Sequence, residues 1–167
     1  MKINLGCGNK LLPEYINIDC NPLQQEKRET NAEFMCANAL NIDRYFLANS
    51  VEDVLAEHFM EHLTHFEVTD ILYRIWTILK PGGFLTIVVP DFEKIINNYK
   101  QRQLIGDFSD ADIIHLKVFS TEKETLHRTV WYEEIGRWYL QREKLFSVVE
   151  LFIPSPIEIC FVGKALK

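Results

Sequence analysis

The chain opens with residues 2–9, KINLGCGN, a short apolar run followed directly by a glycine-bracketed turn. A second strand-like run, residues 15–18, ends at Asp19. Because glycine has no Cβ, its backbone N–H group can approach a ligand closely. An acid at the tip of the neighbouring strand can accept both hydroxyls of a ribose. Together, the turn and the acid predict a pocket for a cofactor that carries a nucleoside.

Length and composition restrict the classes of protein to which the chain can belong. Its 167 residues and 47% hydrophobic content fit one domain, residues 1–167, with a genuine core. The formal net charge of −6 provides no electrostatic footprint for nucleic acid, because phosphate binding requires clustered lysine and arginine. No run approaches the roughly 20 apolar residues that a membrane span needs. We therefore expect neither a nucleic-acid partner nor a membrane location.

Two further features bear on the cellular compartment. The N-terminus enters a strand directly, without the basic segment and apolar stretch of a signal peptide. The cysteines show neither Cys-x-x-Cys spacing nor the density of a secreted disulfide scaffold. They are Cys7, Cys20, Cys36 and Cys160. We expect them to be reduced, most simply as small buried side chains, in a cytoplasmic protein.

Short apolar strands alternate with helical segments, which predicts an α/β fold with a mainly parallel sheet. The first five strand candidates are 2–6, 15–19, 33–36, 53–57 and 84–89. Two last runs, 145–153 and 157–164, are joined through residues 154–156, PSP. So short a connection can join only antiparallel neighbours, since a parallel pair needs a crossover of about a dozen residues. The expected sheet therefore ends in an antiparallel hairpin.

Helix signals are strong in the second half of the chain. The clearest helix is 64–79, where Thr64 and Glu67 form a capping box ahead of an apolar stripe. Further helices are expected from Asp91 onwards and over 131–142. The first of these should have one face formed by Phe92, Ile95, Ile96 and Tyr99. The second should have a buried stripe formed by Trp131, Ile135, Trp138 and Tyr139.

The first half of the chain offers little room for helices between strands. Residues 8–15 are too few for a crossover helix, and residues 21–31 are polar and contain Pro22. One face of the sheet would then be thinly covered. We expect that face to be covered by the poorly patterned insert or lid at 100–128, or by the second subunit of a homodimer.

Five motifs follow one another along the chain in an informative order. They are Gly6-Cys7-Gly8, Asp19, the turn 36–40, Glu61-His62-Leu63 and residues 79–83, LKPGG. This order resembles that of class I S-adenosylmethionine-dependent methyltransferases, most closely small bacterial members of the methyltransferase type 11 group. The resemblance covers nearly the whole chain outside 100–128. It implies a Rossmann-like sheet of seven strands and S-adenosylmethionine as the cofactor.

The resemblance also implies which residues hold the cofactor. This predicted set is Gly6, Cys7, Gly8, Asn9, Asp19, Asn38, Ala39 and Glu57. Lys10 stands where the usual pattern has a third glycine, and Asn38 where an aspartate usually accepts the adenine amino group. The carbonyl oxygen of Asn38 can still accept that hydrogen bond. Each cofactor contact has a structural alternative. These alternatives are turn formation by the glycines, a strand-end cap at Asp19 and an ordinary loop at 38–39.

His58 and Asp91 follow the fourth and fifth strand candidates and are the predicted catalytic residues. The family presents groups towards the reacting methyl at the end of the fourth strand. His58 can act as a base because the ordinary pKa of histidine lies near neutrality. Asp91 can hold a substrate hydroxyl or amine. The alternatives are a structural role for His58 and a helix N-cap at Asp91.

A candidate substrate wall contains His127, Arg128, Trp131 and Tyr132, although Trp131 can equally be core.

Residues 58–62, HFMEH, have the His-x-x-Glu-His spacing of one class of zinc peptidases. On a helix, His58 and His62 would share a face and could bind zinc. His58 lies at the end of a strand candidate, however, so we expect no such geometry and predict no metal. Glu61 and His62 are expected to brace the entry of the following helix.

The expected activity is methyl transfer from S-adenosylmethionine to a small polar or sugar-like acceptor. A methyltransferase-like binding or scaffold protein is the main alternative, because Lys10 and Asn38 depart from the cofactor pattern. An NAD-dependent oxidoreductase would need a third glycine, a helix after the turn and an acid about 20 residues further on. Asp19 follows Gly8 much sooner than that. A zinc hydrolase is the least favoured class.

Overall fold

The computed structural model describes residues 1–22, 32–104 and 127–167. Its strands are β1 (Lys2–Leu5), β2 (Ile16–Asp19), β3 (Phe34–Cys36), β4 (Val51–Glu57), β5 (Leu79–Pro90), β6 (Phe146–Phe152) and β7 (Glu158–Ala165). They form one sheet in the order β3-β2-β1-β4-β5-β7-β6. The first five pair in parallel, whereas β7 lies antiparallel between β5 and β6. The predicted Rossmann-like sheet with its closing antiparallel hairpin is confirmed.

Strand β5 begins at Leu79, five residues before the predicted start. Leu79 pairs with Val51 of β4, and a register shift in β4 between Val51 and Asp53 separates this pair from the regular ladder. Gly82 has φ +73, a left-handed conformation that other residues rarely adopt. The segment 79–83, predicted to end a helix and turn into the strand, is therefore an irregular first part of the strand itself.

Helix α1 (His65–Ile78) covers one face of the sheet and begins as predicted. The Thr64 side chain accepts a hydrogen bond from the Glu67 N–H, and the Glu67 side chain accepts one from the Thr64 N–H, which completes the capping box. The buried stripe of the helix contains Val68, Ile71, Leu72, Ile75 and Ile78. Full burial of each such side chain contributes about 1.5–3 kcal/mol, so this stripe fixes the helix on the sheet.

Helices α2 (Phe92–Leu104) and α3 (Glu133–Gln141) occupy the other predicted helical regions. In α2, Ile95 is buried, while the other members of its predicted stripe are only half-buried. In α3, the prediction that Trp138 is buried is wrong, since this side chain is 44% exposed. The buried face of α3 instead consists of Gly136, Tyr139 and Leu140. In the described ranges, no helix is long and apolar enough to cross a membrane.

Trp131 lies before α3 rather than within it. Its backbone bridges to Asp91, and its side chain is 1% exposed. The indole stacks on Tyr139 with the ring centroids 5.0 Å apart. Trp131 is therefore a core residue, which was the alternative to a place in the substrate wall.

The loop between β1 and β2 replaces a crossover helix, as predicted. It packs over the sheet through Asn4 and Asn17, which are buried and hydrogen-bonded to each other at 2.9 Å. Asn4 Nδ2 also donates to the Lys10 carbonyl, and Asn17 Oδ1 accepts from the Leu12 N–H. Residues 23–31 and most of the 100–128 insert lie outside the described residues, so the covering role of the insert stays a prediction.

Candidate active site

Five parallel strands end at one edge of the sheet, which we call the carboxyl edge. It is defined by the last residues of β1 to β5: Leu5, Asp19, Cys36, Glu57 and Pro90. Loops that follow parallel strands meet at such an edge, where open α/β sheets bind their ligands. The predicted site residues all lie at these strand ends or on the loops that follow them. The fold therefore brings the predicted set together at one end of the sheet.

The glycine turn after β1 contains two left-handed residues, Gly6 with φ +65 and Gly8 with φ +50. A Cβ on Gly6 would lie within 3.0 Å of three side-chain carbons of Phe59. A Cβ on Gly8 would meet no atom within 4 Å. Gly6 is therefore required for packing, whereas Gly8 borders open space from which a ligand can approach its backbone.

Asp19 ties the glycine turn to the tip of β2. Its Oδ2 accepts the Gly8 N–H at 2.9 Å, and its Oδ1 accepts the Asn21 N–H at 2.9 Å. The strand-end cap that was the alternative for this residue is thus present. A carboxylate has about four lone-pair sites, so each oxygen can accept one further hydrogen bond. Capping and ribose binding are compatible at Asp19.

An ion pair joins the glycine turn to the end of β4. Lys10 Nζ contacts Glu57 Oε2, with the lysine exposed and the glutamate half-buried. In the sequence, Lys10 is recognisable only as a departure from the glycine pattern, because its partner is 47 residues away. The pair places one positive and one negative group beside the open space at Gly8.

Asn38 and Ala39 begin the turn after β3. Asn38 Oδ1 accepts the Leu40 N–H at 2.9 Å and caps the 3₁₀ helix Ala39–Arg44. Ala39 is buried, whereas Asn38 is exposed. The cap accounts for one lone pair of Asn38, and its contact with an adenine stays a prediction.

His58 follows β4 with φ +51 and lies between two carboxylates. Its Nδ1 is 3.3 Å from Glu61 Oε1, and its Nε2 is 2.8 Å from Glu158 Oε1. The hydrogen bond with Glu61 raises the pKa of His58, helped by the charges of both glutamates and opposed by partial burial. Glu158 was missed by the sequence analysis, because it comes from β7, 100 residues further along the chain.

Asp91 caps α2, as the alternative interpretation of this residue expected. Its Oδ1 accepts the Lys94 N–H at 3.2 Å, and its Oδ2 pairs with Lys94 Nζ at 2.8 Å. Lys94 Nζ also lies 3.4 Å from the Glu158 carbonyl oxygen. Glu158 therefore connects the surroundings of Asp91 with those of His58, and a direct contact of Asp91 with substrate stays a prediction.

The candidate substrate wall reaches the carboxyl edge through its first residues. The backbone N–H groups of Arg128 and Thr129 donate to the Glu61 carbonyl at 2.7 and 3.2 Å. The ring of His127 lies 4.9 Å from that of His62, centroid to centroid. Trp131 instead belongs to the core, so it cannot form part of this wall, and contact of the other three residues with substrate stays a prediction.

The sequence of the first half of the chain also matches a known family. A model of the methyltransferase domain matches residues 3–87, a stretch that contains the glycine turn, Asp19 and His58. The chain belongs to the methyltransferase domain family. It is a class I S-adenosylmethionine-dependent methyltransferase by sequence and by fold. A comparison with curated proteins finds no match.

Solved methyltransferase structures share the fold of this family member over nearly its whole length. An S-adenosylmethionine-dependent methyltransferase from Methanosarcina mazei is 18% identical with a TM-score of 0.70, over 99% of this chain and 92% of its own. One from Archaeoglobus fulgidus is 15% identical with a TM-score of 0.68, over 98% and 85%. The 1,6-didemethyltoxoflavin-N1-methyltransferase of Burkholderia thailandensis, solved with bound 1,6-didemethyltoxoflavin and S-adenosylhomocysteine, is 13% identical with a TM-score of 0.66, over 99% of this chain and 71% of its own.

The carboxyl edge of this methyltransferase fits S-adenosylmethionine. The open space at Gly8 admits a ligand to the backbone, and Asp19 retains lone pairs for ribose hydroxyls. Lys10 and Glu57 carry charges opposite to those of the cofactor's α-carboxylate and α-ammonium groups. The donor and acceptor groups present therefore suit both ends of the cofactor.

Proposed function

We propose that this methyltransferase acts on a small polar or sugar-like acceptor at the carboxyl edge, beside His58. The junction of Gly8 and Asp19 next to open space supports cofactor binding, and the carboxylates around His58 are the observation that carries the acceptor class. Bound S-adenosylmethionine supplies a methyl group that its sulfonium already activates. The residues of the chain then have to hold the acceptor in line with that methyl group, and alignment alone can contribute about 7–11 kcal/mol.

Each part of the carboxyl edge has a separate role in this proposal. Asp19 binds the ribose, and the turn at Asn38 and Ala39 contacts the adenine edge. Lys10 and Glu57 open from their ion pair to bind the amino-acid end of the cofactor. This exchange replaces one ion pair with two, and both new pairs involve groups already held close to the turn.

His58 and Glu158 are proposed to receive the acceptor. Glu158 Oε1 lies 2.8 Å from His58 Nε2, so an acceptor hydroxyl that enters between them can donate to Nε2 of the neutral ring, whose Nδ1–H then donates to Glu61. His58 then takes the proton that the nucleophile loses on methylation. Asp91 and Lys94 close the same side of the site as an ion pair, within reach of a second polar group of the acceptor.

The charge at this edge supports a polyhydroxylated acceptor over a phosphate-bearing one. Glu61, Asp91 and Glu158 place three carboxylates around His58 and Lys94. Carboxylates accept hydrogen bonds from hydroxyl and amino groups, whereas they repel phosphates. The acidic net charge of the chain also disfavours a phosphate-bearing acceptor.

A methyl-transfer assay tests the proposed acceptor class. S-adenosylmethionine with a labelled methyl group is incubated with the protein and with panels of monosaccharides, amino sugars and polyols, with short RNA as the phosphate-rich comparison. We expect label transfer to at least one hydroxylated small molecule and none to RNA. The His58→Asn variant keeps a residue that tolerates positive φ but removes the base, so it should bind cofactor and lose turnover. Transfer to RNA alone would refute the proposed class.

The ion pair between Lys10 and Glu57 favours one alternative, a binding protein without methyltransferase activity. In that case the pair would stay closed and exclude the amino-acid end of the cofactor. Calorimetric titration with S-adenosylhomocysteine separates the two functions, with NAD as the control ligand. One bound S-adenosylhomocysteine per chain and no bound NAD are expected for the enzyme, and neither ligand should bind to the scaffold.

A further inference from the structure

Three potential metal ligands come together beside the carboxyl edge. Glu61 and His62 belong to the 3₁₀ helix Met60–His62, and His127 lies in the segment that precedes α3. One ligand atom from each side chain lies within 4.8 Å of the other two. The rings of His62 and His127 meet edge to face, with centroids 4.9 Å apart and planes at 70°.

The Glu61 carboxylate has one oxygen that no described group satisfies. The Glu61 side chain is 2% exposed, and its Oε1 lies 3.3 Å from His58 Nδ1. Its Oε2 is buried without a hydrogen-bond partner among the described residues. A buried acceptor left unpaired costs about 1–3 kcal/mol, and more when it is charged. Such an atom calls for an ion or a water molecule.

A small cavity beside this carboxylate offers space for such an occupant. It has a volume of about 10 Å³ and is bordered by Glu61 and His127. That volume is about the space of one water-sized sphere. Its other lining residues are mostly apolar and His62 is not among them, so this space suits a single water molecule beside the three ligands.

We propose that Glu61, His62 and His127 bind one divalent transition-metal ion, with zinc as the best match. Two imidazole nitrogens and one carboxylate oxygen form a known zinc ligand set. Two imidazoles that bind one zinc ion at about 2.0 Å and a tetrahedral angle have ring centroids roughly 5 Å apart, close to the spacing observed here. The ligand atoms must approach to about 3.3 Å from one another, which small side-chain rotations provide.

This site differs from the one that the His-x-x-Glu-His spacing suggested. His58 follows a strand, and its two ring nitrogens face Glu61 and Glu158, so it does not pair with His62 as on a helix. His58 instead holds the second oxygen of the Glu61 carboxylate. Outer partners of this kind orient metal ligands and strengthen metal binding.

The metal would fasten the segment before α3 to the end of β4. The backbone of this segment is already hydrogen-bonded to the Glu61 carbonyl through Arg128 and Thr129. The ion adds side-chain bonds between the same two regions, which lie more than 60 residues apart in sequence. Three protein ligands leave one position of a tetrahedral ion for water. The proposed role is to cross-link these two regions, independently of S-adenosylmethionine, although the open position distinguishes the site from closed four-ligand zinc sites.

Metal titration of the full chain tests the site without cofactor or acceptor. The protein is stripped with EDTA, transferred to chelator-free buffer and titrated calorimetrically with zinc chloride. We expect one zinc per chain with a dissociation constant below about 1 μM and a raised melting temperature. Cobalt in place of zinc should give the intense visible absorption of a tetrahedral ion.

Matched histidine variants complete the test. His127→Gln and His62→Asn should each weaken zinc binding at least about a hundredfold, whereas His65→Ala, a histidine outside the cluster, should not change it. Circular dichroism establishes that each variant is folded. The proposal is overturned if the wild-type protein binds neither zinc nor cobalt, or if zinc binding persists in both folded cluster variants. A failure of methyl transfer would leave these results unaffected.

Discussion

The backbone N–H of Gly8 donates a 2.9 Å hydrogen bond to Oδ2 of Asp19. This bond joins the turn after β1 to the tip of β2, so the two features that predict a nucleoside pocket hold each other in place. It also gives Asp19 two functions, because the same carboxylate braces the turn and offers its remaining lone pairs to a ribose.

Replacement of Asp19 should therefore reduce both stability and cofactor affinity. In Asp19→Ala, the Gly8 and Asn21 N–H groups lose their acceptors, and we expect a loss of about 1–3 kcal/mol in the free energy of unfolding measured in urea. S-adenosylhomocysteine should bind at least about tenfold more weakly by calorimetry. Asp19→Asn retains an acceptor oxygen and should lose less of both. Wild-type affinity in folded Asp19→Ala would contradict the ribose role.

The two glycines of the turn should respond differently to alanine. Gly6→Ala places a Cβ within 3.0 Å of three Phe59 carbons at a positive φ, and we expect it to destabilise the protein by about 2–4 kcal/mol. In Gly8→Ala, the added Cβ meets no atom within 4 Å. The expected loss of stability is therefore only the cost of holding alanine in a left-handed backbone conformation, about 1–2 kcal/mol. Gly8→Ala should still reduce cofactor affinity, because its Cβ projects into the open space. Urea unfolding and calorimetry measure the two effects, and equal stability losses would count against this account.

Gly136 in α3 should not tolerate the better helix former alanine. On propensity alone, Gly136→Ala would stabilise a helix interior by up to about 1 kcal/mol. A Cβ at this position, however, would lie closer than 3 Å to three ring carbons of Phe161, which is fully buried. We expect net destabilisation by about 1–3 kcal/mol in thermal or urea unfolding. The control is Arg137→Ala on the same helix, which should change stability by less than about 0.5 kcal/mol.

The capping box of α1 should give a pH-dependent stability term. The hydrogen bonds from Thr64 lower the pKa of Glu67 in the folded state. A lowered folded-state pKa stabilises the protein above the ordinary glutamate pKa, and this contribution disappears as the pH falls through the folded-state value. Thr64→Ala should cost about 1 kcal/mol near pH 7 and clearly less near pH 3. Urea unfolding at the two pH values measures the difference. The backbone N–H of residue 64 still donates to Glu67 in this variant, so an equal cost at both would exclude only the contribution of the Thr64 hydroxyl.

Local sequence signals were sufficient for the positions of most strands, the mainly parallel sheet, its closing antiparallel hairpin and the position of the carboxyl edge, whereas the number of seven strands came from the family resemblance. The capping box at Thr64, the parallel strands and the short connection after β6 all depend on residues close together in the chain. The start of β5 was missed because Pro81 and the two glycines were interpreted as a helix end and a turn, whereas pairing with Val51 and a shifted register place them in the strand. Trp138 was misplaced because Gly136, by admitting Phe161, sets which face of α3 is buried.

Contacts within the site were harder to predict, because they join distant parts of the chain. The pairs of Lys10 with Glu57 and of His58 with Glu158 leave no periodicity or spacing to detect. His62 and His127 meet only because the segment before α3 docks on Glu61. The cytoplasmic location, the homodimer and the acceptor remain predictions of the sequence.

A crystal structure of the protein with S-adenosylhomocysteine tests the central claim most directly. We predict that the ribose hydroxyls contact Asp19, with the amino-acid end of the ligand beside Gly8 and separating Lys10 from Glu57. A structure in which the nucleoside binds elsewhere, or in which the protein's own side chains fill the space at Gly8 despite saturating ligand, would contradict the account.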